Sequence, residues 1–106
     1  MKDIRFCGRS LEVLRGFPAV AKREAGYQLD RVQHGLEPTD WKPMPLIGSG
    51  VREIRIMHEG RYRVIYVAKF ADAVFVLHTF QKKTQKTRKQ DINAAKEALK
   101  QVLNEV

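Results

Sequence analysis

The chain has a single cysteine, Cys7, among its 106 residues. That excludes an intrachain disulfide and a cysteine-based zinc site, and it fits a reducing compartment. The three histidines, His34, His58 and His78, are isolated in sequence, with no paired carboxylate or cysteine at metal-ligand spacing, so no metal or cofactor is expected. Glycine-rich phosphate loops, nucleophile elbows and helix-turn-helix signatures are all missing. No apolar run approaches the ~20 residues of a membrane span, and the opening MKDIRFCGRS lacks the apolar stretch of a signal peptide. The expectation is a cytoplasmic protein with no membrane partner. Acidic residues are scarce too, 12 against 20 lysines and arginines, giving a net charge of +8 and a pI near 9.9. A domain this basic meets something acidic: nucleic acid, an anionic surface or an acidic protein.

What is present suits one folded domain over residues 1–106, with 43% hydrophobic residues and room for one modest core. The stretch from Val51 to Lys83 organises it. Val51–His58 and Arg61–Phe70 flank a tight turn at Glu59-Gly60, and Ala73–Gln81 follows after Ala71-Asp72. β-branched and aromatic residues dominate all three runs, and such short connections predict three antiparallel strands.

Upstream, Asp3–Cys7 reads as a short strand. Ser10 is a plausible N-cap for a short helix with Leu11, Leu14 and Phe17 on one face. Pro18 can start a second helix that runs to about His34, with Ala21, Ala25, Leu29 and Val32 on one stripe, before Gly35 stops it. The tight joint suggests a helical hairpin. Residues 38–50 hold three of the four prolines and read as loop, pinned by Trp41, Met44 and Leu46. Thr87 with Gln90 fits a capping box for a last helix bearing Ile92, Ala95, Leu99, Val102, Leu103 and Val106. The fold class is α+β, a small curved sheet, mainly antiparallel, with an N-terminal helical hairpin and a C-terminal helix. The first strand joins at an edge or beside a later strand. Helices are expected on one face, with the other face partly open.

Alternation along the second long strand puts Arg61, Arg63, Ile65, Val67 and Lys69 on one face, and Tyr62, Val64, Tyr66, Ala68 and Phe70 on the other, the better core. Glu53 and Arg55 share a face of the preceding strand. Either third-strand set, His78 with Phe80 and Lys82 or Thr79 with Gln81 and Lys83, could join them, depending on register. Arg63 and Arg55 then read as an anion site with Lys82 and Lys83 at its rim. For Arg55 a bland reading stands equally, in which Glu53 pairs across strands with an arginine and merely stabilises an exposed sheet face. His78 is a candidate acid or base, or a hydrogen-bonded structural residue. Phe80 can stack a base beside Lys82 and Lys83, or fill the core. The run containing Lys82, Lys83, Lys86, Arg88 and Lys89, with Arg61 beside it, is the firmest electrostatic signal for nucleic acid. On RNA such a set is enough for catalysis, because the 2′-OH supplies the nucleophile.

PLIGSGVREIRI, YRVIYV and VFVLHTFQKKTQKT, followed by an alanine-containing helix, resemble the RelE/ParE superfamily of bacterial toxins, and within it the phage-derived HigB-like branch. The resemblance covers most of the chain. It implies a small curved sheet with two N-terminal helices and a C-terminal helix. It further implies metal-independent, ribosome-dependent cleavage of mRNA in the A site, leaving a 2′,3′-cyclic phosphate. The implied partners are mRNA, the ribosome's rRNA and a helix-turn-helix antitoxin encoded next to the toxin. Arg63 in YRVIY is similar to the family arginine proposed to stabilise the transition state, Arg55 to the basic position of the preceding strand, and Lys82 and Lys83 to the basic end of the last strand. Many members carry a catalytic Tyr or His in the C-terminal segment, whereas Arg88–Val106 has neither. His78, Tyr66, a lysine or the ribosome are the alternatives for that role. ParE-type relatives share the fold but inhibit gyrase, and a non-catalytic nucleic-acid-binding module would also explain the charge.

Overall fold

Three strands in the middle of the chain build most of the sheet. The computed structural model describes residues 1–106, and in it β3 (Val51–Met57), β4 (Arg61–Val67) and β5 (Ala73–Lys82) form an antiparallel meander. The β3–β4 turn needs left-handed backbone: Glu59 has φ 49° and Gly60 φ 151°, and the Gly60 carbonyl accepts the His58 N–H at 3.0 Å. Strand β1 (Asp3–Phe6) pairs in parallel with β5, at the edge and beside a later strand. The other edge is β2 (Trp41–Pro43), antiparallel to β3, within the segment whose prolines read as loop. Proline tolerates this place because an edge strand leaves alternate N–H groups without a ladder partner. The result is a five-stranded mixed sheet in the order β1-β5-β4-β3-β2.

Helix α1 (Ser10–Arg15) lies against β5, and α2 (Ala19–Gln33) against β3 and β5. Two boundary expectations shift. Arg9 occupies the N-cap of α1, leaving Ser10 as its first residue, buried with its hydroxyl on the Val76 carbonyl at 3.3 Å. Pro18 is the cap of α2 rather than its first turn. Helix α2 does stop at Gly35, whose φ of 81° lets Gly35 N–H reach Val32 O at 3.0 Å and Leu36 N–H reach Arg31 O at 2.9 Å. That pair of bonds is the Schellman closure, and only a residue at ease with positive φ makes it cheaply.

The larger correction concerns layering. Helix α3 (Lys89–Glu105) packs on the sheet face opposite α1 and α2. One core of 13 buried residues holds Leu14, Ala21, Leu29, Tyr62, Val64 and Tyr66. The second core, also of 13, holds Ile65, Val67, Phe75, Ala95, Leu99 and Val102. Two cores of equal size bury β4 from Tyr62 to Val67 on both sides, so neither of its faces is open along its whole length. Alternation alone misleads here, because Ile65 and Val67 are as buried as Val64. The α3 stripe is narrower than the helical spacing suggests: Leu103 and Val106 are exposed. Its cap is Arg88 with no side-chain bond, so the Thr87–Gln90 capping box does not form. In the loop, Met44 and Ile47 are buried while Leu46 is 66% exposed.

Candidate functional site

Helix α3 covers the part of its sheet face that carries Ile65, Val67, Phe75 and Leu77. Beyond its first turn the same face carries the charged strand residues. Cross-strand partners share a face, so the register places them in rows. Lys42, Glu53, Ile65 and His78 form one row, and Arg55, Arg63 and Phe80 the next. Met57, Arg61 and Lys82 form the third. The set His78, Phe80, Lys82 reaches this face because of a bulge: Tyr66 pairs with Val76 but Ile65 with His78, leaving Leu77 as an extra residue. Leu77 and His78 therefore both lean toward α3, and Thr79 and Gln81 take the opposite face.

The patch is a group of like charges around one carboxylate. Glu53 has no exposed surface. Its Oε1 lies 3.5 Å from Arg63 Nε and 3.9 Å from Lys42 Nζ. Arg63 is only 5% exposed, with one terminal nitrogen donating to the Tyr62 carbonyl at 3.1 Å. Burial lowers the Arg63 pKa first, Glu53 pulls it back up, and Arg55 and Arg61 push it down again. Lys82 is half-buried and its pKa is also lowered, by desolvation and then by the neighbouring Arg63, with Lys42 and Arg61 adding to it and Glu53 opposing.

Several sequence-derived roles change at this point. Arg55 is held by Asp40, whose Oδ1 lies 2.7 Å from Nη2 and 2.9 Å from Nε. The arginine that lies against Glu53 is Arg63 on the neighbouring strand, one row away, while the register partners of Glu53 are Lys42 and Ile65. The cations facing solvent over this floor are Arg61, Lys82 and Lys42, each half-exposed. Phe80 is 6% exposed, belongs to the core and stacks on the His78 ring at 5.4 Å, so it offers no platform for a base. Tyr66 lies on the opposite face, 1% exposed, which removes it as an acid or base. Lys83, Lys86, Arg88 and Lys89 are exposed on the strand end, loop and helix start beside the patch.

The histidines are not isolated in space. His34 lies 3.6 Å from Asp30 and His58 3.9 Å from Glu59. His78 is the close one: its Nε2 sits 2.8 Å from Oδ1 of Asp91, a 6% exposed residue in the first turn of α3. With the carboxylate accepting, Nε2 carries a proton, and in the neutral ring the lone pair is then on Nδ1. Asp91 has no place in the site that the sequence alone predicts, and Glu53 enters there only as a cross-strand partner for an arginine. The only signal for Asp91 is an acid within the first turn of a helix that follows a run of cations. No group of three or more potential ligands gathers to hold a metal, and no helix is long and apolar enough to cross a membrane.

These features define a class: a small α+β protein whose sheet carries a basic patch at the open end of a helix-covered face. The model of the family phage-derived protein Gp49-like (DUF891) matches residues 12–100, and the chain belongs to that family. No curated protein sequence matches it.

Proposed function

We propose that this Gp49-like protein is the toxin of a type II toxin-antitoxin system, of the RelE/ParE superfamily and its HigB-like branch. In this reading it acts in the cytoplasm as a metal-independent endoribonuclease that cuts mRNA in the ribosomal A site. One observation carries the reading: four cations, Lys42, Arg61, Arg63 and Lys82, converge on one sheet patch, with Arg55 beside them paired to Asp40 and a fringe of exposed lysines around them. Family membership and an α+β fold broadly compatible with that superfamily support it.

The chemistry needs three things. A base takes the proton from the 2′-OH, cations stabilise charge on the phosphorus oxygens, and an acid protonates the departing 5′-oxygen. His78, with Nε2 held by Asp91, offers Nδ1 as the base. Arg63 supplies fixed charge from the floor, and Arg61 and Lys82 grip from above. Lys82, its pKa lowered, is the better placed lysine to give up a proton. Lys83, Lys86, Arg88 and Lys89 contact rRNA and flanking phosphates. The neutralising partner is a helix-turn-helix antitoxin encoded next to the toxin.

The test is primer extension on a defined mRNA in a purified translation system, with and without ribosomes, for the wild type, Lys82→Met and His78→Gln. Expected are cuts within codons that require ribosomes and weaken on the order of 100-fold in either variant. Intact mRNA with folded protein sinks the reading and directs attention to gyrase supercoiling. Cuts without ribosomes keep the nuclease and discard the A site.

A further inference from the structure

Long cationic side chains crowded together move apart into solvent unless something holds them, and on this patch only one carboxylate is fully buried among them. Glu53 has 0% exposure. Neither of its oxygens makes a hydrogen bond, and neither does the Nε of Arg63, 3.5 Å away. A carboxylate buried this way is costly, and an aliphatic residue packs there more cheaply, as Ile65 does one strand over in the same row. Stability alone does not account for it. Arg63, in turn, is the one buried cation of the patch, at 5% exposure.

We propose that Glu53 is a positioning residue that serves as an internal counter-ion. It fixes the Arg63 guanidinium in the floor of the patch and supplies a counter-charge from beneath the cations. This deepens the RNA-cleaving reading and rests on it. Its consequence is a split between binding and turnover. Glu53 weakens RNA affinity, because it subtracts from the positive potential, while it raises the rate, because it keeps the guanidinium where charge develops. A merely structural role moves both in the same direction.

The experiment uses the isosteric Glu53→Gln. Affinity is read on a 2′-O-methyl single-stranded RNA that cannot be cut, and rate on ribosome-bound mRNA. Expected are RNA binding tighter by about threefold or more at low salt and cleavage slower on the order of 10–100-fold. Parallel falls in both, or no change in either, overturn the proposal. Glu53→Asp keeps the charge and shortens the reach, so affinity stays at the wild-type value while the rate falls. A third measurement needs no variant. In the ¹⁵N spectrum of the wild type, the Arg63 Nε–H exchanges at least about tenfold more slowly than that of Arg61. Equal exchange overturns the proposal even if neither variant folds. Should the wild type cut no mRNA at all, the function falls, while affinity and exchange still decide whether Glu53 positions Arg63.

Discussion

At the scale of single residues, the Arg63–Glu53 pair complicates the obvious test of Arg63. Truncating Arg63 leaves a fully buried carboxylate with Lys42 alone, 3.9 Å away. Breaking a buried pair from one side typically costs about 3–5 kcal/mol, whereas replacing both members by apolar groups of similar volume is often nearly neutral. Arg63→Met should therefore lose about 3 kcal/mol or more in urea denaturation, and Arg63→Met with Glu53→Met should recover most of it. Loss of the proposed RNA cleavage in a single Arg63 variant then says little about a role in chemistry until its folding has been measured. Tyr66 gives a residue-scale prediction in pH. Burial raises its pKa, with Arg52 opposing, so the unfolded chain gives up this proton first as pH rises. The stability this phenol contributes is present below about pH 10 and declines above it. Thermal unfolding from about pH 8 to 11 should show that decline reduced in Tyr66→Phe. The variant should cost little near neutrality, because the buried hydroxyl has no hydrogen-bond partner.

At the scale of elements, α3 is pinned at its first turn. Asp91 bonds His78 on β5 at 2.8 Å and draws Arg88 to 3.5 Å, while the helix N-terminus adds its own attraction for the carboxylate. Asp91→Ala should lower stability by about 1–3 kcal/mol and speed amide exchange in the first turn of α3 well before the turn holding Leu99 and Val102. Unchanged exchange there contradicts the pinning. The same contact marks how far the sequence could be read. The strands β3, β4 and β5 and the body of α2 were legible because Ile54, Ile56, Ala21, Ala25 and Leu29 keep strict periods. The placement of α3 was not, since Ile65 and Val67 fit a solvated face as well as a second core. Nor was the third-strand register, which turns on the single extra residue Leu77. Trp41–Pro43 looked like loop because a three-residue edge strand ending in proline has no period to detect. The basic patch was legible as composition, but its counter-ions were not: pairing Arg55 with Asp40 and Arg63 with Glu53 depends on which strand neighbours which.

At the scale of the whole molecule, the net charge of +8 sets the reach of attraction, and the patch sets where it ends. Lys83, Lys86 and Lys89 lie at the solvent-facing fringe of the patch, and each adds to long-range pull without being held in place. Replacing all three by Gln should lower the slope of log affinity against log salt for single-stranded RNA by about 2, at ~0.7 for each phosphate left unneutralised. Anisotropy between about 50 and 200 mM salt measures it. The same variant should keep its thermal stability, because none of the three belongs to either core. A slope that does not change would place the RNA elsewhere on the surface.

The parallel pairing of β1 with β5 has a consequence in time. Asp3 is synthesised 70 residues before its neighbour Ala73. The β3–β4 hairpin closes locally, but the N-terminal strand stays without a neighbour until Ala73–Val76 have been made, and closing so long a loop is slow. Strand β5 is also the one that carries His78 and Lys82 and lies between β1 and β4. A chain that ends before β5 therefore has neither a closed sheet nor the His78 and Lys82 of the patch. Closing the sheet and completing the patch are therefore one event: the strand that gives β1 its neighbour is the strand that brings His78 and Lys82.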